Sequence, residues 1–434
     1  MTTSKTTFFF FLATLLLGAC AREYIGDDPP LDRLHFPIGI AVSPTERTAL
    51  VVSSNFDLGF NRGAVLSIDL GAVDARLDAA TAPLADAITD VFSGAAFLPS
   101  FAGQVRFDDS GRHAFVPNRA EASLLELELG TPQQARALSC GDRGEVPQDC
   151  TAGDHVLQLT AADPYAIEVQ SRSDGARIYV GGLDGGEVNG VDADFTVSGE
   201  RRLTLPVVVD SELQRASGLA RLPASGLAPE YLLIAGELRP ASSDPRPAGA
   251  YLRLFSTGLA SSQNLGAVPL VSANQAADAR GVVVTADGTR AFVLQRGPDS
   301  VAAVDLTPGV GGLPRFRTVA VQSVGRKPVA IALDASAPGA AQILVACFEE
   351  KSLYALDART LQIVAVIPDL DGSPADLAVD GASARAYVTL FDRDVVAVIS
   401  LDRPEHPGLT VQAWLGTPRP TPDPSWTLDN LSPL

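Results

Sequence analysis

Lysine, methionine and histidine are scarce in this chain of 434 residues. Lysine occurs three times and histidine four times, and Met1 is the only methionine. Basic residues number 33 against 51 acidic ones, which gives a net charge of −18 at pH 7. Because phosphate binding needs clustered lysine and arginine, nucleic acid is excluded as a partner. Aromatic residues are also few, at 6%, but the hydrophobic fraction of 46% excludes an intrinsically disordered chain.

Long hydrophobic runs are missing as well. The longest comprises residues 8–17, which is too short for a membrane span of about 20 residues and is typical of a signal peptide. It ends in Leu17-Gly18-Ala19-Cys20, which resembles the bacterial lipobox. The resemblance implies that residues 1–19 are a cleaved lipoprotein signal peptide and that Cys20 is acylated. The alternatives are an ordinary secretory signal and an N-terminal anchor.

An acylated Cys20 implies that a lipid bilayer is one partner of the protein, with residues 20–35 as a lipidated tether. Ala21 and Arg22 follow the cysteine, so no aspartate stands at the second position, where well-studied bacteria carry an inner-membrane retention signal. We therefore expect a protein of the bacterial cell envelope, anchored to the outer membrane on its periplasmic or surface face.

A pattern of short strands recurs along most of the chain. Apolar and polar residues alternate over short spans bounded by glycine, proline, aspartate or serine, which is typical of β-strands. The first strands of the copies begin near residues 37, 101, 164, 216, 279, 328 and 374. Repetition of three or four strands at this period predicts an all-β fold, a single β-propeller of seven four-stranded blades with extended loops. The fourth copy is weak, so six or eight blades stay open.

The repeats share residue types at equivalent positions. Second strands read Tyr387-Val388-Thr389 and Phe115-Val116-Pro117-Asn118, and a third strand ends in Ser67-Ile68-Asp69. These repeats resemble the YVTN-type β-propeller family over residues 36–415, a resemblance that is specific for architecture and weak for activity. Three further segments are assigned from the sequence. Residues 72–94 favour one or two helical turns, the strand at 411–415 completes the last blade, and residues 416–434 form a proline-rich tail.

The loop after the second strand is polar or charged in most copies. In a propeller these loops emerge on one face, around the mouth of the axial channel, and a ring of mixed charges there is a candidate recognition surface. The simpler interpretation is that exposed loops are hydrophilic. The candidate binding residues are Arg119, Glu121, Asp184, Glu237, Arg239, Arg296, Asp299, Glu349, Lys351, Asp392 and Arg393.

The cysteines beyond Cys20 fall into two groups. Cys140 and Cys150 bracket a hydrophilic loop in an oxidising compartment, which predicts a disulfide. A metal site is the alternative, but two thiols without a nearby histidine or further cysteine make a poor zinc set. Cys347 lies in an apolar strand and is expected to be a buried, inert thiol.

Linear motifs of catalysis are absent. The chain has no haem attachment motif, nucleophile elbow or phosphate-binding loop, and its histidines lack ligand spacing. His113 and His406 are expected to be exposed to solvent. We therefore predict no catalytic residue, no metal ligand and no cofactor.

Three functions are compatible with these features. The first is a monomeric, membrane-anchored binding or scaffold module whose loop face takes a protein or glycan partner. The alternative is an enzyme with its site at the axial channel, because propellers that resemble this one include lactonase-like hydrolases and cofactor-dependent dehydrogenases. A purely structural part of the cell envelope is the third.

Overall fold

The computed structural model describes residues 26–130, 138–140, 147–196, 203–222, 231–239, 246–257, 262–270, 278–309, 313–337, 339–401 and 408–419. The predicted lipidation site Cys20, residue His406 and most of the proline-rich tail lie outside these ranges. Strands dominate the described part, which contains one helix. None of its helical structure has the length and apolar character needed to cross a bilayer.

Seven sheets follow one another along the chain, each with its strands in sequence order from the inner to the outer edge. Sheet one contains β1 (Pro37–Val42), β2 (Thr48–Ser53), β3 (Gly63–Asp69) and β4 (Phe92–Leu98). Sheet two contains β5 (Arg106–Phe107), β6 (His113–Asn118), β7 (Ser123–Leu129) and β10 (Val156–Gln158), and the insertion between its last two strands carries β8 (Leu138–Ser139) and β9 (Gln148–Asp149). Sheet three contains β11 (Ala162–Ser171), β12 (Gly175–Asp184), β13 (Val188–Asp194) and β14 (Val207–Asp210).

The remaining four sheets are simpler. Sheet four contains β15 (Arg215–Arg221), β16 (Tyr231–Leu238), β17 (Gly249–Thr257) and β18 (Ser262–Pro269). Sheet five contains β19 (Asp278–Val284), β20 (Arg290–Arg296), β21 (Ser300–Asp305) and β22 (Arg317–Ser323). Sheet six contains β23 (Pro328–Asp334), β24 (Gln342–Cys347), β25 (Ser352–Asp357) and β26 (Ile363–Ile367). Sheet seven contains β27 (Pro374–Asp380), β28 (Arg385–Leu390), β29 (Val395–Ser400) and β30 (Thr410–Leu415).

The sheets are the blades of a closed ring, because the first strand of every blade contacts the first strands of both neighbours. This confirms the predicted fold, including the weak fourth copy as a full blade. The hydrophobic core lies between blades. Leu50 and Val52 of blade one, for example, pack in one cluster with Val116 of blade two. A single blade cannot bury both of its faces, so the stacking supplies the burial that each copy lacks.

The ring has two distinct ends. Strands alternate in direction within each blade, so the loops between second and third strands lie at one end, which we call the loop face. The turns between first and second strands lie at the opposite end, which we call the turn face.

Among the described residues, from residue 26 onwards, no strand that precedes β1 joins blade seven at its seam with blade one. Strand β30 forms the outer edge of blade seven, as the sequence predicts. The insertion between β3 and β4 then reaches across the seam. The backbone N–H of Leu84 donates to Gln412 (2.8 Å), the N–H of Ile88 donates to Trp414 (2.8 Å), and Ile88 forms a parallel bridge with Leu415. A segment of blade one therefore extends the edge of blade seven.

This insertion also contains the helix α1 (Leu70–Asp78). The Asp69 carboxylate accepts from the Ala72 N–H (3.1 Å) and caps the first turn, and Leu70, Val73 and Leu77 are buried. The predicted helical turns at 72–94 are therefore correct only in part, because the helix starts and ends earlier and β4 begins at Phe92.

Charged side chains of the turn face reinforce the seam. The Arg385 guanidinium donates to Asp78 (3.1 Å) and to Asp74, both on the helix of blade one. Arg47 of blade one contacts Asp74 and also donates to Asp380 of blade seven (2.5 Å). Asp74 of the helix therefore contacts one arginine of its own blade, Arg47, and one from across the seam, Arg385.

Both ends of the described chain lie at the loop face. His35 Nε2 lies 2.9 Å from an Asp57 carboxylate oxygen, in the loop between β2 and β3. Arg419 Nε donates to Asp394 (2.7 Å), in the loop between β28 and β29, and its guanidinium lies 4.0 Å from the ring centre of Phe36. The chain therefore enters and leaves the propeller on the same side.

The two predicted disulfide cysteines lie in the insertion of blade two. The Sγ atoms of Cys140 and Cys150 are 2.15 Å apart. Strand β9 of this insertion pairs in parallel with β4, and the Cys150 N–H donates to Phe97 (3.0 Å). The bridge therefore holds a segment of blade two on the outer edge of blade one. Cys347 is free and buried, as expected, and burial raises its pKa to about 12.

Candidate functional site

The inner strands place one equivalent residue of each blade at the same level of the axis. The register pairs Arg106 with Phe115, Glu168 with Tyr179 and Ala378 with Tyr387. The seven residues at this level are Ala41, Arg106, Glu168, Ala220, Val283, Ala332 and Ala378. Four of them are alanines, whose short side chains leave the axis open here.

A cavity of about 570 Å³ fills this level and is lined by the inner strands of all seven blades. Its walls include residues of the turns between first and second strands, such as Pro44 and Ala286, so the cavity opens on the turn face. Its volume falls in the usual range of small-molecule sites, roughly 300–1,000 Å³.

Charged side chains of both signs from several blades line this cavity. Arg221 Nε donates to Glu168 (2.9 Å), which links blades three and four. Arg106 of blade two lies 3.9 Å from the Asp376 carboxylate of blade seven. Because Arg106 acts electrostatically on both Glu168 and Asp376, it lies between the two carboxyl groups. The arrangement can bind a polar ligand from several sides.

The two carboxyl groups differ from surface carboxylates. Burial raises the pKa of Asp376, although Arg106 and the N–H groups of Ile40 and Leu377 oppose the shift. Burial also raises the pKa of Glu168, against the opposing effect of Arg221. A raised pKa favours the protonated form, which donates a hydrogen bond as well as accepting one. Both groups are therefore suited to binding hydroxyl or carbonyl groups, or to giving up a proton.

The channel narrows towards the loop face. In six blades the pairing of the first two strands shifts by one residue near the start of the inner strand, a β-bulge. Bulged residues line a small cavity of about 20 Å³: Ile38, Tyr165, Arg280, Val329 and Ala375. Arg280 also lines the wide cavity, so it lies at the boundary of the two.

A second arginine lines this small cavity. Burial, followed by the neighbouring Arg280, lowers the pKa of Arg296 to about 10. Arg296 Nε donates to the Pro328 carbonyl (2.9 Å). Phe348 lines the same cavity and belongs to a cluster of phenylalanines on the loop-face side, in which Phe391 lies 4.9 Å from Phe36. The loop-face end of the axis is therefore narrow and largely apolar.

Most of the loop-face residues singled out in the sequence contact oppositely charged or backbone groups. Arg119 Nε donates to Asp163 (2.6 Å), and Arg239 donates to Glu237 (2.6 Å). The remaining side-chain contacts are Lys351 with Asp392 (3.4 Å), Arg393 with Asp371 (3.0 Å), Glu349 with Arg326 (3.8 Å) and Asp299 with the Lys327 N–H (3.2 Å). Glu121 is exposed, and its backbone N–H donates to Asn118 Oδ1 (2.9 Å). Asp184 is exposed. Of this set, only Arg296 lines the axial channel. Partner recognition by these residues stays a prediction.

The prediction for one histidine of blade two, His113, is wrong. His113 was expected to be exposed, but its ring is mostly buried and stacks on Phe195 at 3.7 Å. His113 Nδ1 lies 3.2 Å from Glu126, and His155 Nδ1 lies 3.6 Å from the same carboxylate. Within the described ranges, no three histidine, cysteine or acidic side chains form a group that could hold a metal ion.

The polar residues of the cavity were missed in the sequence: Arg106, Glu168, Arg221, Arg280 and Asp376. Each stands in a first strand, at a position where most other copies carry small or apolar residues. The signal that identifies such a ligand site is a charged residue at a repeat position that is apolar in most other copies. The inner strand of a blade borders the axial channel, so a charged side chain there can face the channel.

Solved structures of several proteins resemble this fold. Hydrazine synthase from Kuenenia stuttgartiensis aligns with a TM-score of 0.57 at 13% identity, over 88% of this chain and 99% of that one. The β-propeller domain of Cps50 (Swd1) from Myceliophteria thermophila aligns with a TM-score of 0.56 at 10% identity, over 85% and 98%. The chain is a seven-bladed β-propeller.

A third propeller-like match is a protein from Lactobacillus plantarum, with a TM-score of 0.50 at 15% identity, over 75% of this chain and 82% of that one. No protein-family model and no curated protein matches the sequence. At these identities the likeness concerns the fold alone, so the function has to be argued from the site.

Proposed function

We propose that this propeller is a lipid-anchored protein of the bacterial cell envelope that binds a small polar ligand in its axial cavity, and that its blades are YVTN-type repeats. The cavity carries the proposal, because it combines a volume of about 570 Å³ with charged groups from five blades. We place the ligand there rather than on the loop face because most of the charged loop residues already contact one another or the backbone.

The anchor and the cavity lie on opposite sides in this proposal. The Asn61 N–H donates to the Asp27 carbonyl (3.0 Å) and Arg62 donates to Asp28 (2.8 Å), so the chain is held at the loop face from about residue 27 onwards. The six residues from Cys20 to residue 25 reach at most about 20 Å when extended. An acylated Cys20 therefore keeps the loop face near the bilayer and turns the cavity mouth away from it.

The anchor is tested by Cys20→Ala in the full-length protein. Acylation needs the cysteine thiol, so we expect the variant to leave the membrane fraction while the wild type stays in it. Cell fractionation followed by immunoblotting measures the distribution. Retention of the variant in membranes would refute the lipid anchor.

The ligand site is tested by filling the cavity. Ala332→Phe adds a ring at the open level, whereas Val321→Phe adds the same ring on the outer strand of blade five, where Val321 is 50% exposed. We expect at least one compound in a panel of sugars, sugar acids, amino acids and dicarboxylates to raise the melting temperature of the wild type and of Val321→Phe but not of Ala332→Phe. A panel that affects all three proteins alike, or none, contradicts a ligand site in the cavity.

A hydrolase is the second candidate. Its support is the raised pKa of Asp376 and of Glu168, because a raised pKa makes a carboxyl group a better match for general-acid catalysis than an ordinary surface carboxylate. Asp376→Asn keeps the shape of the side chain and removes the acidic proton. Loss of turnover of a bound panel compound, with binding retained, would favour the enzyme. If the wild type binds the compound and releases it chemically unchanged, a binding function is favoured over a hydrolase.

A further inference from the structure

Arg280 occupies the floor of the axial cavity. It stands at the bulge of β19, where the register shifts between Ala279 and Gly281, and it lines both the wide cavity and the narrow one beneath it. Its side chain is only 9% exposed. A guanidinium at this depth has lost most of its water and gains more from a bound anion than a surface arginine does.

Only part of this guanidinium is used within the protein. Arg280 Nε lies 2.6 Å from an Asp278 carboxylate oxygen. No described residue accepts a hydrogen bond from the two terminal nitrogens of Arg280, and these are the atoms that bind carboxylates in a bidentate manner. The free edge of the fork is therefore available to a ligand.

The charges at the floor of the cavity favour an anion. The protein as a whole is acidic, at −18, yet three arginines line the cavity: Arg106, Arg221 and Arg280. Arg296 adds a fourth positive group beside Arg280, as the lowered pKa of Arg296 indicates. Four acidic residues line the cavity as well: Asp108 and Asp109 lie in the turn between β5 and β6, at the mouth, and Glu168 and Asp376 lie on the inner strands. Burial raises the pKa of Glu168 and of Asp376. A negative ligand group would relieve the repulsion between neighbouring arginines.

We infer that the axial cavity takes a sugar acid, with its carboxylate paired to the terminal nitrogens of Arg280 and its hydroxyl groups facing Glu168 and Asp376. This inference rests on the proposed small-molecule site and names the class of its ligand. Hydroxyl groups suit these two carboxyls because each can donate or accept according to its protonation. An anion without hydroxyl groups would use only half of the site.

Isothermal titration calorimetry with three probes tests the inference: d-glucuronate, d-glucose and inorganic phosphate. We expect the wild type to bind glucuronate more tightly than either of the others, since glucose lacks the carboxylate and phosphate lacks the sugar hydroxyls. Arg280→Gln should weaken glucuronate binding by about ten- to a hundredfold, the range for a lost charge-assisted hydrogen-bond pair. Arg317→Gln, on the outer strand of the same blade and 64% exposed, is the matched control and should bind as the wild type does.

Arg280→Lys keeps the charge without the fork and provides a second variant if Arg280→Gln fails to fold, with circular dichroism as the check on folding. We expect Arg280→Lys to bind glucuronate with an affinity between those of the wild type and Arg280→Gln. If glucose and glucuronate bind with equal affinity, and neither Arg280 variant changes that affinity, the ligand is not recognised as a sugar acid. The proposed ligand site in the cavity would not be affected by this result. Phosphate binding as tight as that of glucuronate would also overturn the inference of a sugar acid. If none of the probes binds while Ala332→Phe abolishes a thermal shift by another compound, the inference fails and the proposed function does not.

Discussion

At the scale of single residues, Glu126 shows how a charge is kept inside a blade. Its side chain is 1% exposed and lies between His113 and His155. Burial alone would raise the pKa of Glu126, but His113, in hydrogen-bond contact, and His155, 3.6 Å away, outweigh it and hold the pKa at about 2. Because this pKa lies below the ordinary 4.5, ionised Glu126 stabilises the folded state above about pH 4.5, and the contribution is lost as the pH falls towards 2.

Glu126→Gln should therefore lower the free energy of unfolding by about 3 kcal/mol at pH 7. The difference from the wild type should shrink as the pH falls from 4.5 towards 2. Urea unfolding at a series of pH values measures both effects. Glu121→Gln, an exposed acid in the same blade, is the control and should leave the pH profile as it is in the wild type. A constant difference between Glu126→Gln and the wild type at all pH values would contradict this role.

The residues of the candidate site were harder to predict than those of the core. The apolar positions of each repeat follow from their alternation, since a strand buried between blades needs them. Arg106 and Glu168 stand at positions where four other blades carry alanine, and only the strand register shows that all of them meet at one level of the axis. His113 was misjudged for a related reason, because its shelter comes from Phe195 of the next blade.

At the scale of elements, the insertion between β3 and β4 joins the two ends of the ring. It supplies the backbone hydrogen bonds to β30 and the helical acids that Arg385 contacts. Arg385 and Asp78 are 307 residues apart in sequence. A local sequence pattern cannot indicate a contact between residues so far apart in the chain. The helical turns could therefore be predicted, although with shifted bounds, but their contact with Arg385 of blade seven could not.

Arg385→Ala should weaken the seam. The substitution leaves Asp74 with one arginine instead of two and removes a partly buried ion pair, so we expect the free energy of unfolding to fall by about 2 kcal/mol, between the costs for exposed and fully buried pairs. Arg76→Ala on the same helix removes an ion pair with Asp90 in which both side chains are more than half exposed, and should cost less than about 1 kcal/mol. Chemical denaturation of the two variants measures the difference. Equal losses would show that the seam does not depend on Arg385.

At the scale of the whole molecule, the two faces of the ring differ in structure. The loop face holds both ends of the described chain and the apolar, narrow end of the axis, and the turn face carries the open cavity. The number of blades and their order follow from the repeats in the sequence, because each copy specifies the same four strands. The side chains that line the axial cavity cannot be predicted from the repeats, because the charged residues among them occur in single copies and come together only in the folded ring.

The central claim is that the axial cavity binds a ligand, and a crystal structure tests it most directly. Crystals soaked with the panel compound that most raises the melting temperature should show that compound inside the cavity, within hydrogen-bond distance of Arg280 or of the carboxyl groups of Glu168 and Asp376. The compound bound on the loop face, or on the outer strands, with the cavity free of it, would contradict the claim.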